Sequence, residues 1–257
     1  MSFLRALLAL GLASTASASG RLAPAAMSVD PPGASLALER YLAGVTNSDP
    51  WSEPNTVLLE IDASLPRFAE RGSLRAIRDW PERQTPDYQV IHIEGDPTVE
   101  QRVIARYLTA EKEAAAIPPS SVAVTLENYK FRYLASSGGT PVYAFQITPR
   151  HKRMGLIKGE LWIDGATGLA VHEVGYLVKS PSIFIRRLKM TRDVSLRDGV
   201  PHLRTTHLDI NVRVAGHAEL TIVESPCASR AVTPHAVAVQ ESIAAKDQIN
   251  ACTCSGY

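Results

Sequence analysis

Residues 142–181, VYAFQITPRHKRMGLIKGELWIDGATGLAVHEVGYLVKSP, contain the pattern that decides the fold. Apolar and polar side chains alternate along three of its segments, as they do in half-buried β-strands: 143–148, 160–164 and 170–178. A basic turn over 149–154 joins the first two segments, and Asp-Gly-Ala-Thr-Gly at 164–168 has turn chemistry before the third. The pattern predicts a three-stranded antiparallel meander, and it carries no catalytic signature.

Composition indicates a globular chain with one main domain. The chain has 257 residues, of which 45% are hydrophobic and 21% charged, and its formal net charge is +1. A chain of this length can bury one sizeable core. The near-neutral charge gives no field that would draw nucleic acid. We therefore expect a monomer that has no nucleic-acid partner.

The N-terminus has the pattern of a secretory signal peptide. Arg5 precedes the apolar run 6–13, and Ala16-Ser17-Ala18 forms a small-x-small cleavage site. A run of about eight apolar residues is too short to span a bilayer, which needs about 20, so a buried helix is the stronger alternative to cleavage. We predict a signal peptide over 1–18, a flexible lead-in over 19–33 and a periplasmic or secreted protein.

The three cysteines all lie near the C-terminus. In an oxidising compartment we expect Cys227 to pair with Cys252 or Cys254, which leaves one thiol over. A metal site is disfavoured because no second Cys pair and no neighbouring His accompanies Cys252-Thr253-Cys254. We predict that residues 225–257 form a flexible tail, within which 237–246 has some helical pattern.

Two helices are predicted among the strands. Apolar spacing of three, four and seven residues predicts a short helix over 34–45 with Ser35 as its N-cap. A longer helix is predicted over 97–116, because Pro97 suits a first turn and Pro118-Pro119 stop it. Further strands are predicted at 56–62, 74–79, 88–93, 128–134, 183–191, 207–214 and 218–223. A helix that interrupts a run of strands favours an antiparallel sheet with the helices on one side.

Motifs of known catalytic chemistry are absent from the sequence. It contains no Gly-rich phosphate loop, no G-x-S-x-G elbow and no H-E-x-x-H pair. His207 and Asp209 share one strand face at a separation of about 7 Å, with His202 and His217 as candidates for the same place. An exposed polar strand face is the simpler interpretation. We predict no catalytic residue, no metal and no cofactor, and a metal-dependent hydrolase is the weakest alternative.

Basic residues form two clusters in the sequence. The first is Arg150, Lys152, Arg153 and Lys158, and the second is Arg186, Arg187, Lys189 and Arg192. Charges at turns and strand edges usually solvate a surface and discourage edge pairing. The alternative is attraction to an anionic lipid surface or to an acidic partner.

Four segments resemble a known family: LLEIDASLPRFAERGSLRAIRDW (58–80), TVEQRVIARYLTAE (98–111), FQITPRHKRMGLIKGELWIDGATGLAVHEVGYLVKSPS (145–182) and RDVSLRDGVPHL (192–203). They are similar to a bacterial family related to the outer-membrane lipoprotein-sorting superfamily, the LolA/LolB-like proteins. The resemblance covers residues 57–224, and its most specific motif is K-G-E-L-W-I-D-x-x-T-G-L at 158–169. The lead-in and the tail lie outside it.

The resemblance implies a single LolA-like domain over 34–224. This fold is mainly β (α+β), with a curved antiparallel half-barrel sheet whose concave face is covered by helices. It also implies an apolar cavity for acyl chains. A carrier of this kind holds lipid by burial, at about 0.8 kcal/mol per CH₂, and needs no catalytic residue.

We therefore predict a non-enzymatic carrier or binding protein for a lipid or an acylated protein, held between the sheet and the 97–116 helix. Candidate ligand-binding residues are Val103, Phe131, Tyr133, Tyr143, Phe145 and Trp162, and for each of them plain core packing is the alternative. A second hypothesis is an envelope sensing or interaction module that binds an inner-membrane or other envelope protein.

Overall fold

Ten strands form one sheet within residues 31–45, 55–80, 85–137, 141–180, 185–213 and 216–227, which are the residues that the computed structural model describes. The strands are β1 (Asn55–Leu65), β2 (Glu70–Trp80), β3 (Asp87–Gly95), β4 (Tyr129–Ser136), β5 (Val142–Pro149), β6 (Ile157–Asp164), β7 (Ala170–Leu177), β8 (Ile185–Arg197), β9 (Val200–Val212) and β10 (Gly216–Pro226).

Neighbouring strands in the sheet are antiparallel, in the order β3-β2-β1-β10-β9-β8-β7-β6-β5-β4. Consecutive strands are neighbours except β3 and β4, which lie at opposite edges, and the first strand β1 pairs with the last strand β10. The segment between β3 and β4 therefore carries the chain from one edge of the sheet to the other. The sheet is curved and does not close, which confirms the predicted fold class.

A pair of glycines allows two central strands to approach closely. Gly159 in β6 pairs with Gly175 in β7. A Cβ on Gly159 would lie 1.9 Å from the carbonyl oxygen of Val174, and one on Gly175 would lie 2.5 Å from Cγ2 of Ile157. Glycine in a strand interior marks such close approaches and permits strong curvature. Glycine at position 159 of the motif at 158–169 therefore has a structural reason.

The helices lie before β1 and between β3 and β4. The first is α1 (Pro32–Val45). Three segments then follow one another directly, and we call them the long helix: α2 (Pro97–Val99), a π-helical turn (Glu100–Ile104) and α3 (Ala105–Ala114). A short α4 (Pro119–Val122) follows. None of these described helices has the length and apolarity to cross a membrane.

The first helix begins two residues before the predicted start at 34, and the long helix ends at Ala114, two residues before its predicted end at 116. The Asp96 side chain caps the long helix by accepting a hydrogen bond from the Thr98 amide at 2.7 Å, and this bond lowers the pKa of the Asp96 carboxyl. The prediction that Ser35 caps the first helix is wrong. That helix begins at Pro32, since proline suits the first helical position, and Ser35 lies inside it.

Strand boundaries also extend beyond the predicted ones. β2 starts at Glu70, ahead of the predicted 74, because the break between β1 and β2 is the 3₁₀ turn Pro66–Phe68. β10 starts at Gly216, ahead of the predicted 218. Asp198 and Gly199 join β8 to β9 with φ of 54° and 78°, as a two-residue hairpin turn of type I′ requires.

The ends of the chain lie mostly outside the described residues, which include neither the predicted signal peptide at 1–18 nor the segment 237–246. The lead-in is shorter than predicted, since α1 includes Pro32, and the domain is longer, since β10 runs to Pro226. Cys227 is disulfide-bonded to a partner outside the described residues, and its amide donates to the Thr56 carbonyl at 3.0 Å.

Candidate functional site

The long helix and α1, which we call the two helical covers, lie on the same face of the sheet. We call it the inner face, and a row of paired residues identifies it. Residues paired across neighbouring strands point to the same side. From β1 through β10 and on to β4, this row contains Ile61, Ile222, Thr206, Arg192, Glu173, Leu161, Phe145 and Tyr133. Its two ends are apolar and its middle is polar, and we call it the polar row.

Cluster 1 is the apolar core beneath the long helix. It joins inner-face residues of β1, β2 and β10 to Val99, Val103 and Ile104, which are 0%, 8% and 1% exposed. The main contacts of the long helix with the sheet fall on β1, β2 and β3. The space between this helix and the sheet, where the ligand was predicted, is therefore occupied by packed side chains.

Cluster 2 is the apolar core beneath α1, at the other side of the inner face. Ala34, Ala37 and Tyr41 of α1 pack on inner-face residues of β4, β5 and β6. The hydroxyl of Tyr129 accepts a hydrogen bond from the Ile157 amide at 3.1 Å, and burial raises the pKa of Tyr129 to about 12. Cluster 2 thus forms a second core that shares no residue with cluster 1.

A second row of the inner face is apolar along its whole length and connects the two clusters. It contains Ala63, Leu220, Leu208, Met190, Gly175, Gly159, Ile147 and Phe131, in order from β1 through β10 to β4. We call it the apolar row. Three inter-strand steps of about 4.8 Å separate Leu208 from Gly159, so its middle spans about 14 Å.

The middle of the inner face lies between the two helical covers. Leu188 and Met190 of β8 pair with Ile210 and Leu208 of β9, and we call these four residues the central strip. Leu188, Leu208 and Ile210 are partly exposed, whereas Met190 is 7% exposed. The main contacts of α1 fall on β6 and those of the long helix on β1–β3. Apolar side chains on β8 and β9 therefore remain partly accessible.

Charged groups of the polar row flank the central strip. Arg192 donates to Glu173 at 3.1 Å and to the Met190 sulfur at 3.6 Å. Its side chain is 36% exposed, whereas its Nε is buried and has no hydrogen-bond partner among the described residues. A ligand oxygen would therefore meet the exposed part of the side chain and not Nε. The inner face thus offers an apolar surface with a cationic group beside it.

A buried ion network joins the long helix to the sheet. One Nη of Arg78 donates to Glu111 of α3 at 2.6 Å and to Glu224 of β10 at 2.7 Å. Arg204 of β9 binds Glu224 with two hydrogen bonds, at 2.5 and 2.7 Å. Glu111 also accepts from the Tyr88 hydroxyl at 2.7 Å. The network holds α3 against β2, β9 and β10.

The network shifts the pKa values of its members in opposite directions. Burial acts to raise the pKa of Glu224, but the charges of Arg204 and Arg78 outweigh burial and hold it below the ordinary value of 4.5. Burial and the Glu111 carboxylate raise the pKa of both Tyr88 and Tyr107. Glu224 is therefore ionised and both tyrosines are neutral at neutral pH.

The six predicted ligand-binding residues do not share one wall. Val103 belongs to cluster 1, whereas Phe145 is in the core of cluster 2 and Phe131, Tyr133 and Tyr143 pack against that core. Trp162 pairs with Ala144 and His172, so it lies on the opposite, outer face. There its ring meets that of His172 edge to face, with centroids 5.7 Å apart.

Histidines and acids cover part of the outer face. His217 lies 3.4 Å from Asp209 and 3.0 Å from Glu219, and His207 lies 3.0 Å from the Thr221 hydroxyl. No group of three His, Cys, Asp or Glu side chains in the described ranges is arranged to hold a metal. A polar cleft of about 620 Å³ lies nearby, lined by Asp62, Ser64, Ser73, Glu94, Glu219 and others.

A second cleft, of about 490 Å³, lies at the ends of β6, β7 and β8. Its lining includes Lys158, Arg186 and Arg187 together with Tyr176 and Leu188. The guanidinium of Arg187 lies 3.8 Å from the centroid of the Tyr176 ring. The fold thus brings together members of the two basic clusters that the sequence contains.

Comparisons with known proteins found similarity only among solved structures. No family model matches the chain, and no curated protein matches it. A LolA superfamily protein from Nitrosomonas europaea matches with 12% identity and a TM-score of 0.37, and MucB in complex with MucA(peri) with 11% and 0.22. Each match covers 75% of this chain and 93% of the other. The first belongs to the superfamily that the sequence resembles, and likeness at this level defines no ligand.

The buried ion network and the central strip were missed in the sequence. The available signal was an ionisable residue in phase with apolar ones: Arg78 follows Leu74 and Ala76, and Glu224 follows Leu220 and Ile222. Such phasing predicts an inward-facing charge that needs a partner. It does not identify the partner, because Arg78, Glu111 and Glu224 come from distant parts of the chain.

Proposed function

We propose that this protein binds an amphiphile, either a lipid or a lipid-modified protein, on the central strip of its inner face, and that it acts as a non-enzymatic carrier in the cell envelope. One observation carries the proposal: the apolar row continues from cluster 1 to cluster 2 across β8 and β9, which lie between the two helical covers. Binding of this kind relies on burial and requires no catalytic group.

The polar row supplies a place for a head group. An acyl chain along the apolar row would pass Met190, and the guanidinium of Arg192 contacts the Met190 sulfur. An anionic head group beside Arg192 would be attracted by its guanidinium, whose side chain is 36% exposed and whose other partner is Glu173. Phe131, Tyr133 and Tyr143 lie farther along the inner face, on β4 and β5 beside cluster 2, and remain candidate contacts at that end. The proposed ligand is therefore an acyl chain with a carboxylate or phosphate head.

Two features support the envelope location that we propose. Residues 1–18 have the sequence pattern of a secretory signal peptide, and Cys227 is disulfide-bonded. Disulfides persist in oxidising compartments such as the periplasm and the extracellular space. Both features support a secreted or periplasmic carrier.

The test is to measure the binding of fatty acids of increasing length to delipidated protein. Tryptophan fluorescence, or displacement of a fluorescent fatty acid, reports the binding. Each added CH₂ that is buried contributes about 0.8 kcal/mol, so we expect the affinity to rise about fourfold per methylene over the length of the strip. Affinity that does not change with chain length would contradict burial on an apolar surface.

A matched pair of variants locates the ligand. Leu208→Glu puts a carboxylate on the central strip, and His207→Glu puts one on the outer face of the same strand. We expect Leu208→Glu to reduce fatty-acid affinity at least tenfold and His207→Glu to leave it within twofold. Equal loss in both variants, each checked for a cooperative thermal transition, would place the ligand elsewhere.

A second candidate function, an envelope interaction module, is favoured by a different observation. The edge strand β3 exposes Val90 and Ile93, which are 52% and 44% exposed. An extended segment of a partner protein could add to such an edge by β-augmentation. A photoreactive amino acid at Val90, with Lys130 on the opposite edge strand as its control, tests this in the native envelope. A specific envelope protein captured from Val90 alone would support the module, and the same capture from both sites would not.

A further inference from the structure

The two basic clusters of the sequence meet at one end of the sheet. Lys158 of β6 pairs with Tyr176 of β7, and Tyr176 pairs with Lys189 of β8. Arg186 and Arg187 line the same cleft as Lys158. The Val178 amide donates to the Leu156 carbonyl at 3.0 Å, which places the β5–β6 turn beside the end of β7. Segments that are about thirty residues apart in sequence therefore form one surface.

This surface, which we call the basic rim, has a one-sided charge. It consists of seven exposed cations: Arg150, Lys152, Arg153, Lys158, Lys179, Arg186 and Arg187. In the described part of the chain, none of the seven forms an ion pair with a carboxylate. Glu127, which is exposed, is an acidic neighbour on the adjoining segment. Glu160 shares the face of β6 with Lys158, and Asp209 pairs with Lys189 beside Tyr176, but the seven cations outnumber these carboxylates and give the basic rim a local positive field although the whole chain is near neutral.

Large apolar side chains stand exposed among these cations. Leu126 is 55% exposed, Met154 is 41% exposed and Tyr176 is 37% exposed. The Arg150 side chain holds Leu126 in place by donating to its carbonyl at 2.9 Å. A basic surface that only repels aggregation does not need exposed Leu and Met, whereas a surface that meets a bilayer uses cations for the head groups and apolar side chains for the acyl boundary. Tyrosine is also enriched at that boundary.

We propose that the basic rim is a docking surface for an anionic lipid bilayer. Its cations contact lipid phosphates, and Leu126 and Met154 enter the interface beneath them. Docking depends only on the residues of the basic rim, so it does not require an amphiphile bound to the central strip. Leu188 lines both the rim cleft and the central strip, so docking would also hold the strip beside the bilayer, a consequence that rests on the proposed function.

The test is flotation of the full mature chain with vesicles of phosphatidylcholine containing one quarter phosphatidylglycerol, and with vesicles of phosphatidylcholine alone. We expect binding to the anionic vesicles that weakens steadily as salt rises from about 0.05 to about 0.5 M, because the Debye length shortens over this range. Equal binding to both vesicle types, or no binding to either, would overturn the proposal.

Two charge-reversal variants make the test specific. Lys158→Glu with Arg186→Glu alters the basic rim, and Arg102→Glu with Arg106→Glu makes the same change of charge on exposed positions of the long helix. Since each surface cation contributes about fivefold to binding an anionic membrane, reversal of two rim charges should reduce binding by roughly 100-fold or more. The helix variant should bind within about threefold of wild type. Equal losses would show that total charge, and not the rim, governs binding.

A third variant distinguishes a bilayer from an acidic protein as the occupant. Leu126→Ser with Met154→Ser leaves every charge in place. A bilayer would lose the apolar part of its contact, so we expect vesicle binding to fall about tenfold, with the remainder abolished at high salt. Unchanged vesicle binding by this variant would contradict insertion and would leave only a charged surface for a soluble acidic partner.

Discussion

The inner face contains two regions of similar chemistry that differ in their cover. Under the long helix, Ile61, Leu220 and Ile222 are at most 2% exposed. On β8 and β9, Leu188, Leu208 and Ile210 point to the same face and are partly exposed. Alternation along a strand determines which side chains share a face, whereas the placement of the helices determines which of them are buried. The first region is closely packed core, whereas Leu208 and Ile210 pack against the margin of that core and stay partly exposed.

The largest expected effect comes from the network that holds the cover in place. Glu224→Ala leaves Arg78 and Arg204 facing each other without the carboxylate between them. Removal of one partner from a buried ion pair costs roughly 3–5 kcal/mol, so we expect a loss of that size in the free energy of urea unfolding. The control is Glu60→Ala, whose pair with Arg75 is exposed, and it should cost less than about 1 kcal/mol. Similar losses of unfolding free energy in both variants would show that burial of the ion pair does not determine its contribution to stability.

A pair of isoleucines compares the two regions directly. Ile222 lies under the long helix and is 0% exposed, and Ile210 lies on the central strip. Ile222→Ala creates a cavity in a close-packed core, for which we expect a loss of about 2–5 kcal/mol. Ile210→Ala removes a partly exposed side chain and should cost roughly 1 kcal/mol. Denaturant unfolding of both variants measures the difference, and equal costs would mean that the strip is packed as tightly as the core.

The smallest effect is a dependence of stability on acid pH. The pKa of Glu224 is lower in the folded protein than its ordinary value of 4.5, so its contribution is complete above that value and is lost as pH falls through the folded pKa. We expect wild type and Glu224→Gln to differ most near neutral pH and to converge below pH 4.5. Unfolding curves collected across this range test the sign. A stability difference between the two proteins that grows as the pH falls would contradict the expected sign.

Much of the fold could be predicted from local patterns. The alternation of Leu208 and Ile210 with His207 and Asp209 identified the inner face of β9, and the Pro97 start identified the long helix. The pairing of β1 with β10 could not be predicted, because no local signal joins strands that are more than 150 residues apart. The crossing of the chain from β3 to β4 follows from that pairing.

The candidate site could be predicted only in part. Four of the candidate residues do lie together, because they belong to adjacent strands and their side chains point to the same face: Phe131, Tyr133, Tyr143 and Phe145. Trp162 was grouped with them for its size alone, although the register Ala144–Trp162 places it on the outer face. Val103 belongs to cluster 1, because the long helix packs on β1 and β2. Size and hydrophobicity therefore identify core residues, but their grouping depends on non-local register.

Binding of an amphiphile on the central strip is tested most directly by photocrosslinking of a diazirine-labelled fatty acid, with the modified residues mapped by mass spectrometry. We expect adducts on inner-facing residues of β8 and β9, such as Leu188, Met190, Leu208 and Ile210, and their loss on competition with unlabelled fatty acid. Adducts confined to β1 and β2 beneath the long helix, or to the outer face around Trp162, would contradict it.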